Sequence, residues 1–88
     1  MRRNRNETEL IVTVLACCEE PQRISAVSRD ANMPHNRLQP MFDRLVAAGL
    51  VSIEEHSEAL YATTDAGRAF LSEHRRFQNL CDAYGIKA

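Results

Sequence analysis

The sequence has almost no lysine and no surplus of positive charge. Ten of its eleven basic residues are Arg, and twelve acids bring the formal net charge of the 88 residues to −1. The basic total usual for a nucleic-acid binder is therefore missing. Cysteine is scarce too: Cys17, Cys18 and Cys81 are odd in number, and two are adjacent. None stands in a Cys-x-x-Cys or Cys/His ligand spacing, which predicts neither a zinc site nor a disulfide framework and fits a reducing cytoplasm. No apolar run approaches the ~20 residues of a membrane span. An export-like start is suggested by Arg2, Arg3 and Arg5 ahead of Leu10–Cys18, with Val14-Leu15-Ala16-Cys17 mimicking a lipoprotein cleavage site. Glu7 and Glu9 interrupt that pattern, and the same residues are needed as a core helix. Also lacking are a Gly-rich phosphate loop, paired catalytic carboxylates, a metal cluster and a nucleophile–base motif. No enzyme activity, cofactor or metal is expected, and no small-molecule ligand is evident. Internal repeats, linkers and low-complexity tracts are absent as well.

What is present suits one small globular domain. Apolar residues make up 44% of the chain and charged residues 26%, ordinary values for a folded chain. A domain this short buries only roughly 60–65% of its unfolded surface, so a partner subunit would add stability. The charge is uneven. Residues 1–50 hold seven Arg against six acids, and residues 51–88 hold three Arg and one Lys against six acids. Arg supplies forked donors suited to phosphate and guanine edges; a GC-rich genome accounts for the bias equally well.

Asn6 followed by Glu9 has the spacing of a capping box. Leu10, Ile11, Val14, Leu15 and Cys18 then share one helical face, and Pro21 stops the helix. Ile24 reads as a one-residue strand or an apolar anchor. Ser25 reads as the cap of a second helix running to about Ala31, with Val27 and Ala31 inward. Asn32 suits the left-handed position that ends a helix, and Met33 plugs the turn. Pro34 suits a first helical position. A third helix over 34–48 buries Leu38, Met41, Phe42 and Leu45 and ends at Gly49. Pro40 lacks an N–H and crowds the carbonyl four residues back, which predicts a bent or loosened first turn. Residues 50–54 and 60–63 read as a hairpin around His56-Ser57-Glu58, too small to stand alone. Thr64 caps a fourth helix with Asp65 in its first turn and Ala66, Ala69 and Phe70 inward. Phe77, Leu80, Cys81 and Tyr84 form a second apolar cluster, and Gly85 ends the helix.

Helix, helix, tight turn, helix, hairpin, helix is the order of a winged helix-turn-helix. The fold class expected is mainly α with a small β-hairpin and an extended C-terminal helix. The chain resembles the archaeal ArnR-like winged helix-turn-helix regulators over about residues 5–72. Four segments carry the resemblance: Arg5-Asn6-Glu7 through Val14-Leu15; Ala31-Asn32-Met33; Leu45-Val46-Ala47-Ala48-Gly49-Leu50-Val51; and Tyr61-Ala62-Thr63-Thr64-Asp65-Ala66-Gly67 followed by Phe70-Leu71. Pro34, His35 and Pro40 depart from the family pattern, as does an acidic wing bearing Glu54, Glu55 and Glu58. The resemblance implies a cytoplasmic transcriptional regulator that binds double-stranded DNA as a homodimer. It divides the chain into a flexible basic arm (1–5), a winged-helix core (6–72) and a dimerisation extension of the last helix (73–85).

In such a fold the second helix of the helix-turn-helix pair enters the major groove, its N-terminal part on the base edges. Here it offers His35, Asn36, Arg37 and Gln39, then Asp43 and Arg44. Asn and Gln suit adenine edges, and Arg suits guanine or phosphate. A merely solvated polar face is the other reading. Arg2, Arg3 and Arg5 suit a minor-groove or backbone arm, Arg23 and Arg29 suit phosphates, and His56 stands at the wing tip. Phe77, Leu80, Cys81 and Tyr84 lie past the end of a minimal winged helix. They suit a homodimer interface, or a fold-back of the last helix onto the first. A second functional class is a winged helix that docks proteins of the transcription machinery without touching DNA, suggested by the acidic wing.

Overall fold

A computed structural model describes residues 6–55 and 57–87. Six elements follow in chain order: α1 (Glu7–Cys17), α2 (Ile24–Ala31), α3 (His35–Ala47), β1 (Val51–Glu55), β2 (Ala59–Thr63) and α4 (Asp65–Ala83). This is the expected winged helix-turn-helix order, mainly helical with one hairpin.

The capping box at the start of α1 is formed. Asn6 Oδ1 accepts from the Glu9 amide at 2.8 Å, and Glu9 Oε1 accepts from the Asn6 amide at 3.4 Å. The other three helices end in the same way. A residue with positive φ, Asn32 (φ 55), Gly49 (φ 79) or Gly85 (φ 68), follows each. The next amide then reaches back five residues: Met33 to the Ser28 carbonyl at 3.0 Å, Leu50 to Leu45 at 2.9 Å, Ile86 to Cys81 at 2.7 Å. These are Schellman closures, which satisfy carbonyls that a helix end would otherwise orphan. Met33 is thereby dropped into the core at 3% exposure.

Several boundaries differ from the sequence reading, the strands by one residue each. Arg23, not Ser25, stands at the start of α2. The strand-like pairing falls on Gln22, whose amide and carbonyl exchange hydrogen bonds with Tyr61. That exchange sets the chain direction two residues early and draws Ile24 into the helix. Pro34 lies outside α3 with extended ψ of 151°, so His35 is the first helical residue. Pro40 lies inside α3, yet the helix runs unbroken from His35 to Ala47. The position is exposed, so the Asn36 carbonyl, deprived of its helical donor, faces water rather than protein.

The core gathers Leu10, Val14, Leu15 and Cys18 from α1, Val27 and Ala31 from α2, and Leu38, Met41, Phe42 and Leu45 from α3, closed by Val51 and Tyr61. Phe42 and Tyr61 stack with ring centroids 4.0 Å apart and planes 12° from parallel. The hairpin is antiparallel, with Val51 opposite Thr63 and Ile53 opposite Tyr61. Thr63 ties it to α1: its Oγ1 donates to the Leu15 carbonyl at 2.7 Å and its amide to Cys18 at 2.8 Å.

The hinge into α4 explains a motif that the sequence offered only as a likeness. Thr64 Oγ1 accepts from the Gly67 amide at 3.1 Å and donates to the Gly49 carbonyl at 2.6 Å. A Cβ at Gly67 would collide with the Leu50 carbonyl oxygen and sit 2.5 Å from Thr63 Cγ2. The Thr-x-x-Gly spacing therefore clamps α4 directly to the end of α3. The clamp turns Gly67 and Leu71 toward the interior, and it corrects the inward placement of Ala66 and Ala69, which are exposed.

Candidate nucleic-acid interface

The residues predicted to face a groove on α3 do face outward. His35, Asn36, Arg37, Gln39, Asp43 and Arg44 are all exposed, while Leu38, Met41, Phe42 and Leu45 are 0–4% exposed on the other side. At about 100° per residue, Asn36, Pro40, Asp43 and Ala47 form the crest of that outer face. Two flanks run beside it.

One flank is cationic. Arg37 and Arg44 face α1 across a cleft of about 210 Å³, lined also by Glu7, Leu10 and Met41. Arg44 Nη2 lies 2.9 Å from Glu7 Oε1, with both side chains 62% exposed. The other flank is neutral and tied to the wing. Gln39 Nε2 donates to Asp43 Oδ1 at 3.2 Å and to the Tyr61 hydroxyl at 3.4 Å. Gln39 is thus shared between the outer face and the stacked Phe42–Tyr61 pair beneath it. Two contributors escaped the sequence reading. Glu7 was visible only as a break in the export-like pattern and as part of a family segment, and Tyr61 only as a motif residue, because each meets α3 through a contact remote in the chain.

Elsewhere the predicted cations are divided. Arg23 lies 3.5 Å from Glu58 of the wing, and Arg29 lies 3.4 Å from Asp30. Arg2, Arg3, Arg5 and His56 lie outside the described residues. Glu54, Glu55 and Glu58 keep the wing acidic and exposed.

The α4 cluster splits. Phe77, Leu80 and Tyr84 are 58%, 55% and 76% exposed, whereas Cys81 is 6% exposed within the protomer. Cys81 is turned off the stripe shared by the other three, onto the side of Gly67, Leu71 and Gln78. His74, Phe77 and Gln78 line a crevice with Asn6, which caps α1, and with Thr8 and Glu9 of α1. Fold-back onto α1 and an outward apolar stripe thus share one helix, with Phe77 and His74 at the border between them. The stripe borders an open apolar groove of about 490 Å³, lined by Leu50, Ala66, Ala69, Phe70, Glu73, His74 and Phe77. Burial pushes the Cys18 thiol up to about 12, with Cys17 adding to it; Cys17 is also raised, by burial first and the Asp30 charge second. Neither is held as a reactive thiolate.

The sequence profile described as "Winged helix-turn-helix" matches residues 3–82. The chain belongs to the winged helix-turn-helix family. No curated protein matches it. Among solved structures, it is similar to Sso10a-2, a DNA-binding protein from Sulfolobus solfataricus, with 22% identity and a TM-score of 0.80 over 91% of this chain and 85% of that one. It is also similar to BpsR of Bordetella bronchiseptica, whose DNA binding is regulated by 6-hydroxynicotinic acid, with 18% identity and a TM-score of 0.73 over 85% of this chain. The match to Sco5413, a MarR family transcriptional regulator from Streptomyces coelicolor, has 23% identity and a TM-score of 0.70, again over 85%. This winged helix-turn-helix chain spans 57% and 54% of the latter two. At these identities the likeness is one of fold. No described helix is long and apolar enough to cross a membrane.

Proposed function

We propose that this winged helix-turn-helix protein is a cytoplasmic transcriptional regulator that binds double-stranded DNA as a homodimer, with α3 in the major groove. The observation that carries the reading is the outer face of α3: an exposed edge bearing Asn36, Gln39 and Asp43, cationic on one flank, held clear of the core. Asn36 on the crest and Gln39 beside it supply base-edge donors and acceptors, while Arg37 and Arg44 suit phosphates or guanine. The basic segment 1–5 and His56 complete the proposed contacts. The narrower placement among the archaeal ArnR-like regulators rests on the four sequence segments, of which the Thr-x-x-Gly clamp now has a steric reason.

The dimer half of the proposal rests on α4. Ala66, Phe70, Glu73, Phe77, Leu80 and Tyr84 recur at the a and d spacing of a helix-pairing seam. A parallel pairing would set Glu73 against its own copy and small Ala66 against small Ala66. An antiparallel pairing centred near residue 75 sets Tyr84 of one protomer over Ala66 of the other, and Glu73 beside Arg76. Bulk then meets hollow and carboxylate meets guanidinium, twice by symmetry. The core is proposed to end near residue 72, with 73–85 as the dimerisation extension.

An anisotropy titration against mixed genomic duplexes at low ionic strength tests the DNA reading. Binding should weaken steeply with salt, and Arg37→Ala with Arg44→Ala should weaken it further. A second reading, a protein-docking module without DNA contact, is favoured by the acidic wing of Glu54, Glu55 and Glu58. It predicts no salt-sensitive binding at all and indifference to the two Arg substitutions.

A further inference from the structure

The cleft between α1 and α3 contains an internal rival for the proposed phosphate contact. Glu7 is a first-turn residue of α1, and Arg44 lies a full helix-turn-helix later on α3. Their 2.9 Å ion pair places a carboxylate on the guanidinium that flanks the groove-facing crest. A carboxylate and a phosphate diester offer Arg the same thing, a pair of anionic oxygens in fork geometry. Arg37 lines the same cleft, so the carboxylate shares that cleft with both cations of the flank. We infer that Glu7 acts as an intramolecular phosphate surrogate: it holds Arg44 in the free protein, yields it to the DNA backbone on binding, and so acts as a brake on affinity.

The inference rests on the DNA-binding reading above. Both side chains are well over half exposed, and ion pairs of that kind are weak and salt-screened. The exchange is therefore reversible at the affinities typical of DNA recognition. It has two costs for binding: the pair must open, and the displaced carboxylate stays beside the arriving phosphate. Arg76 with Glu73 and Arg23 with Glu58 are also paired, but neither lies on the α3 flank. Loss of Glu7 would release a cation at the groove edge itself.

The test is a double-mutant cycle on DNA affinity, read by anisotropy with a fixed duplex at low salt. Wild type, Glu7→Gln, Arg44→Gln and the double variant are compared, with Glu19→Gln as a control for the general loss of one negative charge. Glu7→Gln should tighten binding about threefold to tenfold, Glu19→Gln by much less, and the Glu7→Gln gain should vanish in the Arg44→Gln background. In the absence of DNA, the ¹⁵N resonance of the Arg44 guanidinium should move on Glu7→Gln, which reports the pair without relying on affinity. Equal affinity for Glu7→Gln and wild type, or a gain that survives Arg44→Gln, overturns the brake while leaving DNA binding intact. Absence of any wild-type binding instead overturns the DNA reading, and the brake with it.

Discussion

At the scale of single residues, the strongest constraint sits on Gly67. Its hydrogen in place of a Cβ lets the first turn of α4 press against the Leu50 carbonyl and Thr63. Both obstacles are anchored, the carbonyl by the Thr64 amide at 3.0 Å and Thr63 by its hydrogen bond to α1. Gly67→Ala should therefore cost about 3 kcal/mol, at the upper end of overpacking penalties, despite the better helix propensity of Ala. Denaturant melts check this; a loss below about 1 kcal/mol would show that the hinge gives way cheaply. Cys18 supplies a pH prediction. Its folded thiol is pushed up to about 12 from an ordinary 9.0. Below pH 9 the thiol is protonated in both states, so the stability contribution is complete. Between 9 and about 12 the unfolded chain sheds the proton first, and stability falls as pH rises. Melts at pH 8 and pH 10.5 should show a decline that is smaller in Cys18→Ala, and iodoacetamide at pH 8 should label Cys17 before Cys18. Equal labelling rates would contradict the burial assigned to Cys18.

At the scale of elements, α3 holds the most informative tension between sequence and structure. Pro40 predicts local disruption, yet the helix is continuous. The reason is positional: Pro40 lies on the exposed side, while Leu38, Met41, Phe42 and Leu45 fix the helix from beneath. Packing outweighs one lost hydrogen bond. Pro40→Ala restores that bond to the Asn36 carbonyl without touching the core. It should stabilise the protein by about 1–3 kcal/mol, raising Tm by roughly 4–8 °C per kcal/mol for a domain of this size. An unchanged Tm would mean that α3 has relaxed around the ring at no cost. This case also shows what was legible in advance. Helix order, the buried stripe of α3 and the positive-φ ends at Asn32, Gly49 and Gly85 follow from local spacing and local backbone chemistry. The misplaced start of α2, the outward turn of Ala66 and Ala69, and the inward turn of Cys81 depend on distant partners such as Tyr61, Leu50 and α1. So does the candidate site: its outward face was readable from periodicity, but its division into a Glu7-guarded flank and a Tyr61-tethered flank was not.

At the scale of the whole molecule, the question is what covers the C-terminal half of α4. Phe77, Leu80, Tyr84 and Ile86 are each more than half exposed, a concentration of apolar surface that a lone soluble domain seldom tolerates. The proposed antiparallel seam would bury three of them against the partner and fill the groove beside Leu50. Leu50 follows Gly49 directly at the end of α3, so the same contact would set the relative placement of the two proposed recognition helices, which a two-fold reader of DNA needs about one turn, roughly 34 Å, apart. Stability and DNA recognition would then be coupled through one surface. Wild-type Tm should rise with protein concentration, as it does whenever association stabilises the folded form. Phe77→Glu, at an exposed site whose substitution leaves the monomer core intact, should abolish that dependence and halve the mass in sedimentation equilibrium. The variant should bind a duplex with one half-site as the wild-type protomer does. It should lose the tighter binding to two half-sites, because linkage through the partner supplies that gain. A concentration-independent Tm in the wild type, or a Phe77→Glu variant of unchanged mass, would remove α4 as the dimer seam and leave its apolar stripe to some other partner.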